Sequence, residues 1–359
     1  MVFRIQELLG KRHSAWSLAA ITCVVAPAVL ACSTMALGPA GSRVIAYSYD
    51  TSATGAGYVF VNPRGGTRTS IMEDSTARWL TEHGSVTFNQ MGFGMPTAGM
   101  NTAGLFVSLM WNDDAAFPAA KSTDILNELE LIQLLLDRAA SVEEAVSLAR
   151  DTSVQAMVSI HYFVADATGA TAALTPTRDG MTAHLGRDMP VPALTNSDYD
   201  DLLAGLATFD GFGGSKPLPV SKAHERSSLN RFVLAAHATH SGSTDGFSAL
   251  EDVENDQTRW QIVASPTEQT IQFTLTDTTS QGRIVMGDID FSCRDSVTGL
   301  NLETAHTTGD TLDFTQPSTA EMTDVLSNVL AGFADTIGMP LEWAGPIVKA
   351  QMGSFTCPD

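Results

Sequence analysis

Apolar and polar positions alternate in short runs along the first third of this chain, then shift to a helical period. Arg43 to Tyr49 (RVIAYSY), set between Gly41 and Asp50, is rich in β-formers and predicts a strand. Tyr58 to Val61 predicts a second, entered through Gly55 and Gly57 and left through the turn Asn62-Pro63-Arg64-Gly65-Gly66. Ser85 to Asn89 alternates, whereas Gly104 to Trp111 (GLFVSLMW) is nearly all apolar and suits a strand covered on both faces. Leu126, Leu129, Ile132 and Leu136 then recur every three or four residues, the stripe of a helix starting near Asp124. A second helix is expected from Ser141 to about Arg150, its first turn closed by a capping box between Ser141 and Glu144.

Strand patterns return at Met157 to Ala165 and Thr171 to Leu174, and later at Trp260 to Val263, Ile271 to Leu275 and Arg283 to Met286. Ser227 to Ala236 reads as a helix, and Met322, Val325, Val329 and Phe333 fall on one side of another within Thr319 to Ile337. Asp210 to Pro219 (DGFGGSKPLP) reads as a flexible, turn-rich loop beside a site. The order is strands, helices, strands, helix, with hairpin-like links and no regular βαβ alternation. That predicts an α+β fold of antiparallel sheets covered by helices, without a linker that would divide it.

The N-terminal segment follows a different rule. Lys11 and Arg12 precede Ala15 to Ala31, 17 residues without a charge and interrupted by Pro27. A basic flank, a short apolar stretch and small residues at Val29 and Ala31 predict an export signal, residues 1–31, cut before Cys32. The product would be a periplasmic or secreted domain, residues 32–359, with a helical C-terminal tail. The cut would expose Cys32 with a thiol and a free α-amine on one residue. An α-amine has a reference pKa near 8 and a thiol about 8.5, so the amine can take the thiol proton near neutral pH. A lipobox reading of Val29-Leu30-Ala31-Cys32 competes, and lipid on the thiol would end its use as a nucleophile and bind the protein to a membrane. Leu30 is large for that motif.

Composition narrows the partners. Forty Asp+Glu face 20 Lys+Arg, a formal charge of -20, which repels nucleic-acid and anionic membrane surfaces. No P-loop, GxGxxG or GxSxG signature is present, and no nucleotide or other cofactor is expected. His237 and His240, with Asp245 nearby, lack the further ligands of a metal site and read as ordinary helix residues. Asp113 and Asp114 read as surface acids. Four cysteines are too few for a disulfide scaffold. In an oxidising compartment Cys293 and Cys357 can pair and leave Cys32 the odd thiol, although two buried free cysteines would read the same way.

An ordered set of short motifs is more specific. Cys32-Ser33-Thr34, Asp50, Asn62-Pro63-Arg64-Gly65 and Gly99 to Leu105 (GMNTAGL) open it. His161 to Asp166 (HYFVAD), Leu194 to Ser197 (LTNS), Ser227 to Phe232 (SSLNRF) and Thr258-Arg259-Trp260 complete it. In this order the segments resemble the choloylglycine hydrolase and penicillin V acylase family, in its exported Gram-negative form. The resemblance implies a four-layer αββα sandwich of N-terminal-nucleophile hydrolases, assembled as a homotetramer. It implies hydrolysis of a linear amide, as in penicillin V, conjugated bile acids or N-acyl-homoserine lactones. It makes Cys32 the nucleophile, Asp50 the residue orienting its amine and Arg231 the family arginine. The side chain of Asn196 and the backbone N–H of Trp111 would form the oxyanion hole. Two positions depart: Tyr47 stands where the family carries an arginine, and Thr175 where it often carries a glutamate. Tyr47 cannot replace a positive charge, so a higher thiol pKa or a non-catalytic binding module of the same fold follows as the rival expectation. The Trp111 indole is expected to wall an apolar acyl site, favouring aryl or long-chain acyl groups over bile acids.

Overall fold

The computed structural model describes residues 31–51, 57–220, 227–276, 281–294, 297–304, 312–334 and 338–358. The expected export signal lies, apart from Ala31, outside the described residues. Nineteen strands are formed among those described, and seven helices of eight or more residues. The first strands are β1 (Ser33–Leu37), β2 (Val44–Asp50), β3 (Tyr58–Asn62), β4 (Thr67–Thr69), β5 (Arg78–Leu80), β6 (Ser85–Asn89), β7 (Ala98–Asn101), β8 (Phe106–Trp111) and β9 (Ile125–Leu126). Helices α1 (Glu128–Arg138) and α2 (Val142–Asp151) follow, then β10 (Ser153–Val154), β11 (Ile160–Ala165), β12 (Thr171–Thr177), β13 (Gly180–Leu185) and β14 (Ala193–Leu194). Next come α3 (Tyr199–Leu206), α4 (Ser228–His240), α5 (Gly246–Val253), β15 (Thr258–Ser265), β16 (Thr270–Leu275), β17 (Gln281–Val285) and β18 (Thr298–Asn301). The tail holds α6 (Thr319–Gly332), α7 (Ala344–Gly353) and β19 (Phe355–Thr356).

Two antiparallel sheets carry the fold. One has six strands in the order β14-β1-β2-β15-β16-β17, the other eight in the order β13-β12-β11-β8-β7-β6-β3-β18. They face each other: Thr34 Oγ1 lies 2.9 Å from Ser108 Oγ, and Phe88 meets Phe273 edge-on at 5.4 Å. Helices α4 and α5 cover the outer face of the six-stranded sheet, and α1 and α2 that of the eight-stranded one. The result is the expected αββα order of layers. It explains why β1, β3, β6 and β11 are buried at every position rather than at alternate ones.

Some local expectations shift. The helix anticipated near Asp124 begins at Glu128, because Asn127 caps it in a reciprocal box with Glu130 while Ile125 and Leu126 pair in parallel with β10. Ser141 does cap α2, but Glu144 reaches back one residue further than expected and accepts from the Ala140 N–H. The strand expected from Met157 begins at Ile160, and the one at Thr171 continues through Pro176 into a hairpin with β13. Asp210 to Pro219 closes on itself, with the Asp210 N–H on the Lys216 carbonyl at 2.7 Å and the Lys216 ammonium over the Phe209 ring at 4.2 Å.

The tail extends the outer helix layer. Met322, Val325 and Leu326 of α6 pack with Val348 of α7 over Tyr58 and Phe60, which project outward from β3. β19 joins the edge of β4, and Cys293 and Cys357 are bridged, with Cα atoms 5.6 Å apart. Beneath this corner lies a buried ion pair. Arg68 Nε donates to Asp137 at 3.1 Å, and the same carboxylate accepts from Trp79 and Gln133, both at 2.8 Å. The Arg68 guanidinium is sandwiched near the rings of Phe93 and Phe355, 4.8 and 5.3 Å away. Removing one buried charge strands the other, at a cost of about 3–5 kcal/mol. Asp137→Asn should therefore lower the unfolding free energy by about 3 kcal/mol at neutral pH, read from urea denaturation, whereas an unchanged midpoint would show that Arg68 is balanced elsewhere.

Candidate active site

Cys32 lies one residue before β1, at the end of the sandwich where β2, β6 and β8 also terminate. Its thiol is fully buried and faces the Asp50 carbonyl at 3.7 Å. β1 and β2 are antiparallel neighbours with Ser33 opposite Ser48, so Asp50 at the end of β2 is carried to the level of Cys32. Asp50 is also fully buried. Its Oδ1 accepts from Ser48 Oγ at 2.6 Å and its Oδ2 from Asn255 Nδ2 at 2.8 Å. On the opposite neighbour, β15, the register slips between Thr258 and Trp260, a bulge beside the site. Thr258 thereby stands opposite Asp50 and also hydrogen-bonds its carboxylate.

Arg231 joins the parts. It projects from the first turn of α4, whose start Ser227 caps through the Asn230 N–H. One guanidinium nitrogen donates to the Cys32 carbonyl and to Ser33 Oγ, both at 2.6 Å. The other donates to Asn196 Oδ1 at 2.7 Å. Asn196 in turn donates its Nδ2 to the Trp111 carbonyl at 2.9 Å. Thus Cys32, Asp50, Arg231, Asn196 and Trp111, scattered over most of the chain, meet at one end of the two sheets.

Burial sets the electrostatics. The Cys32 thiol is pushed up to about 12, first by desolvation and second by the negative Asp50, with Arg231 and a hydrogen bond from Tyr47 pulling the other way. Burial likewise raises Asp50 above the usual carboxylate range, opposed first by Arg231. Tyr47 is fully buried and donates its hydroxyl to the Leu109 carbonyl at 3.2 Å. A phenol therefore occupies the position beside the thiol where the resemblance implied a cation. Tyr49 stacks on Trp260 at 4.6 Å and donates to Gln90 Oε1 at 2.6 Å, tying β2 to the end of β6.

The Trp111 indole differs from expectation. Met110 points into the space between the sheets, so Trp111 points the other way, to the outer face with Leu109. Its Nε1 donates to Asp113, and the ring is half-buried at the rim rather than walling the interior. Asp113 is thus tied to the rim, while the helix residues His237 and His240 sit in the last turn of α4.

His161 opens the HYFVAD motif, whose residue pattern assigns it no role. Its Nε2 lies 2.6 Å from the Thr195 carbonyl and its Nδ1 3.2 Å from Asn112 Nδ2, which also donates to Asp198 at 2.8 Å. A neutral ring protonated on Nε2 satisfies both contacts and fixes the backbone just before Asn196. Ser48 and Asn255, which hold Asp50, were missed as well. Their only signal was proximity to Asp50 and Thr258 in sequence.

Three comparisons bear on this arrangement. Residues 61–201 match the family model described as acyl-coenzyme A:6-aminopenicillanic acid acyl-transferase, a span that includes Trp111 and Asn196 but not Cys32, Asp50 or Arg231. A penicillin V acylase of Pectobacterium atrosepticum is 26% identical over 176 residues, 44% of this chain and 45% of that protein, so the match spans under half the length of either. The structure of a penicillin V acylase from Agrobacterium tumefaciens superposes with a TM-score of 0.69 at 23% identity, covering 98% of that chain and 80% of this one. A conjugated bile acid hydrolase from Clostridium perfringens does so at 0.61 and 14%, covering 97% of that chain and 80% of this one. The fold is the α+β sandwich that the chain shares with these two structures. The chain is thus similar in sequence, over part of its length, to a penicillin V acylase, and in fold to structures of a penicillin V acylase and a conjugated bile acid hydrolase.

His161 makes a pH prediction. The buried ring is held down to about 4, chiefly by desolvation, against about 6.5 in the unfolded chain. Between those values the unfolded chain binds a proton that the folded chain refuses, so stability falls as pH drops from about 6.5 to 4 and is fully retained above 6.5. The span corresponds to a loss on the order of 3 kcal/mol. His161→Gln keeps a donor for Thr195 and an acceptor for Asn112 but does not titrate. Its denaturation midpoint should fall less steeply than the native protein's over that window, and parallel curves would refute the assignment.

Proposed function

We propose that the chain is an exported amide hydrolase, cut before Cys32, that transfers the acyl group of a linear amide to the Cys32 thiol and then to water. The observation that carries this reading is the buried cluster in which Arg231 links Cys32 to Asn196 while Asp50 faces the thiol. The family support from the comparisons adds to it. In the uncut chain Cys32 has no free amine, and burial pushes its thiol up to about 12, which disfavours the thiolate at neutral pH. Cutting the Ala31–Cys32 bond would place a base on the same residue as the thiol.

In the proposed reaction the Cys32 amine takes the thiol proton, and sulfur attacks the amide carbon. The carbonyl oxygen gains negative charge as the C–S bond forms, and Asn196 Nδ2 and the Trp111 N–H donate to it. Each such donor is worth about 3 kcal/mol in comparable sites. Asn196 must first release the Trp111 carbonyl, and Arg231 holds its Oδ1 so that the amide can swing only about that anchor. The Cys32 amine, now protonated, gives its proton to the leaving nitrogen as the C–N bond breaks. Water attacks the thioester, returning the proton to sulfur and releasing the acid. Asp50, fixed by Ser48 and Asn255, orients the amine, and the Tyr47 hydroxyl, turning from the Leu109 carbonyl, donates to the thiolate.

Intact mass of the exported protein tests the premise: a start at unmodified Cys32 is expected, and an added diacylglyceryl mass would instead favour the lipid-anchored binding module that Tyr47 suggests. The processed protein should release amine from penicillin V and from a long-chain acyl-homoserine lactone faster than from glycocholate, and Cys32→Ala should abolish all three. No turnover of any acyl amide by correctly processed protein would overturn the enzyme reading. A clear preference for glycocholate would make it a bile salt hydrolase. Because the chain carries a formal charge of -20, added salt should raise kcat/KM for the anionic penicillin and leave the neutral lactone nearly unchanged. Tyr47→Arg should lower the thiol pKa of the processed enzyme, seen as an alkylation-rate profile shifted to lower pH, and an unshifted profile would remove Tyr47 from the site's electrostatics.

A further inference from the structure

Asn112 follows Trp111 at the end of β8 and is fully buried. Both amide hydrogens and the amide oxygen of its side chain are engaged. Nδ2 donates to Asp198 Oδ1 at 2.8 Å and to His161 Nδ1 at 3.2 Å, and Oδ1 accepts from the Asp114 N–H at 3.1 Å. His161 carries the connection on to the Thr195 carbonyl at 2.6 Å. One amide therefore reaches both sides of Asn196, through Thr195 before it and Asp198 after it. Asp198 breaks a local rule to take part. It stands at the N-cap of α3, where an aspartate ordinarily accepts from a backbone N–H of the first turn, yet its side chain makes no such bond. A residue that forgoes its local partner for a distant one marks a constraint set by the tertiary structure.

Strand geometry shows what this clamp holds. The Asn112 N–H donates to the Ser159 carbonyl, next to β11, and the Leu109 N–H donates to the Thr97 carbonyl on the opposite side, next to β7. Backbone groups alternate sides along a strand, so the Trp111 N–H points to the β7 side, past Ala98 where β7 begins. The Trp111 carbonyl faces the same way and accepts from Asn196 Nδ2. We propose that Asn112 is a positioning residue for the oxyanion hole, which with His161 and Asp198 locks the strand end carrying the Trp111 N–H to the loop carrying Asn196. The inference rests on the amide-hydrolase reading for the use of those two donors. Arg231 holds the Asn196 side chain through Oδ1, whereas the clamp holds its backbone. The direct link between the two donor residues is the Asn196–Trp111 hydrogen bond, which the reaction must open, so their spacing then depends on Asn112. A displacement of about 1 Å at such a site lowers a rate by as much as about a hundredfold.

The test uses the processed full-length protein and penicillin V. Asn112→Ala and Asp198→Ala should each lower kcat about tenfold or more with KM changed less than about threefold, because the hole acts on the oxyanion and not on the bound amide. Asp198→Asn, which keeps an acceptor for Asn112, should restore kcat to within about threefold of native. Alkylation of Cys32 by iodoacetamide forms a C–S bond as iodide leaves and builds no oxyanion, so its rate should stay within about twofold in all three variants. A kcat within about threefold of native in both alanine variants, a rise in KM alone, a parallel loss of alkylation or no rescue by Asp198→Asn would overturn the inference. Phenoxyacetaldehyde, which carries the acyl chain of penicillin V, gives a readout without turnover. Cys32 adds reversibly to its carbonyl, sulfur to carbon and the thiol proton to oxygen, which places that oxygen in the hole. Its Kd, read from protection of Cys32 against iodoacetamide, should rise about tenfold in Asn112→Ala. If the native protein binds the aldehyde in this Asn112-dependent way yet cleaves no amide, the reaction is wrong and the positioning role stands. If it cleaves no amide and binds no aldehyde, or binds it equally in native and variant protein, the role is wrong. Should Asn112→Ala fail to fold by circular dichroism, the two Asp198 variants decide by the same criteria.

Discussion

A single buried guanidinium organises the end of this sandwich. Arg231 is fully buried and makes three short hydrogen bonds, to the Cys32 carbonyl, Ser33 and Asn196. A cation out of water is costly unless its donors are satisfied and an opposite charge is near. Asp50 supplies that charge, and its own carboxylate is held by Ser48 and Asn255. The requirement to satisfy Arg231 thus brings together a strand start, a loop after β14 and a helix start that sequence separates by up to 199 positions. Conversely, the two sheets must be packed before the arginine can be buried at all. Site and core are therefore one cooperative structure rather than a site set on a finished scaffold.

The same burial works against the thiol. Desolvation is the leading cause of its raised pKa, and the Asp50 carboxylate adds to it. Arg231 and the Tyr47 hydroxyl favour the thiolate without outweighing burial. A free amine on Cys32 would change this balance more than any side chain present, because it supplies both a proton acceptor and, once protonated, an adjacent cation. Tyr47 has a further consequence. Its hydroxyl already serves the Leu109 carbonyl, so it links β2 to β8 across the two sheets as well as touching the sulfur. The tail has a comparable double attachment, since Gln351 and Phe333 both end on the edge that carries Met91 and Trp111.

Much of this was legible in sequence, and the parts that were not have identifiable causes. Continuous apolar runs marked β2, β3 and β8 because strands covered on both faces need no polar side. The stripe through Leu129, Ile132 and Leu136 marked α1, yet its start was misplaced by the apolar Ile125 and Leu126, which belong to a parallel pair with β10. β13 was not anticipated because it is an edge strand of mixed burial, and α3 because Tyr199 to Leu206 opens with two acids and buries only part of itself. β7 is four residues long and contains a glycine, too little pattern for any period.

The sequence by itself determined which residue types were available for chemistry and in what order they occur. The thiol that follows the small residue Ala31, the lone asparagine in Leu194 to Ser197 and the arginine of Ser227 to Phe232 could all be named from it. It also determined the covered strands, since hydrophobicity is a property of each residue. Only the tertiary structure decided that Cys293 and Cys357 are close enough to bridge, that His161 backs Asn196, and that Ser48 and Asn255 hold Asp50. It also decided that the Trp111 indole turns outward to pack against the cluster of Val329 and Phe333, more than two hundred residues away. The physical reason is that these are pairings across elements. A hydrogen bond or ring contact depends on which faces the sheet register and helix packing bring together, and no local pattern of residues encodes that choice.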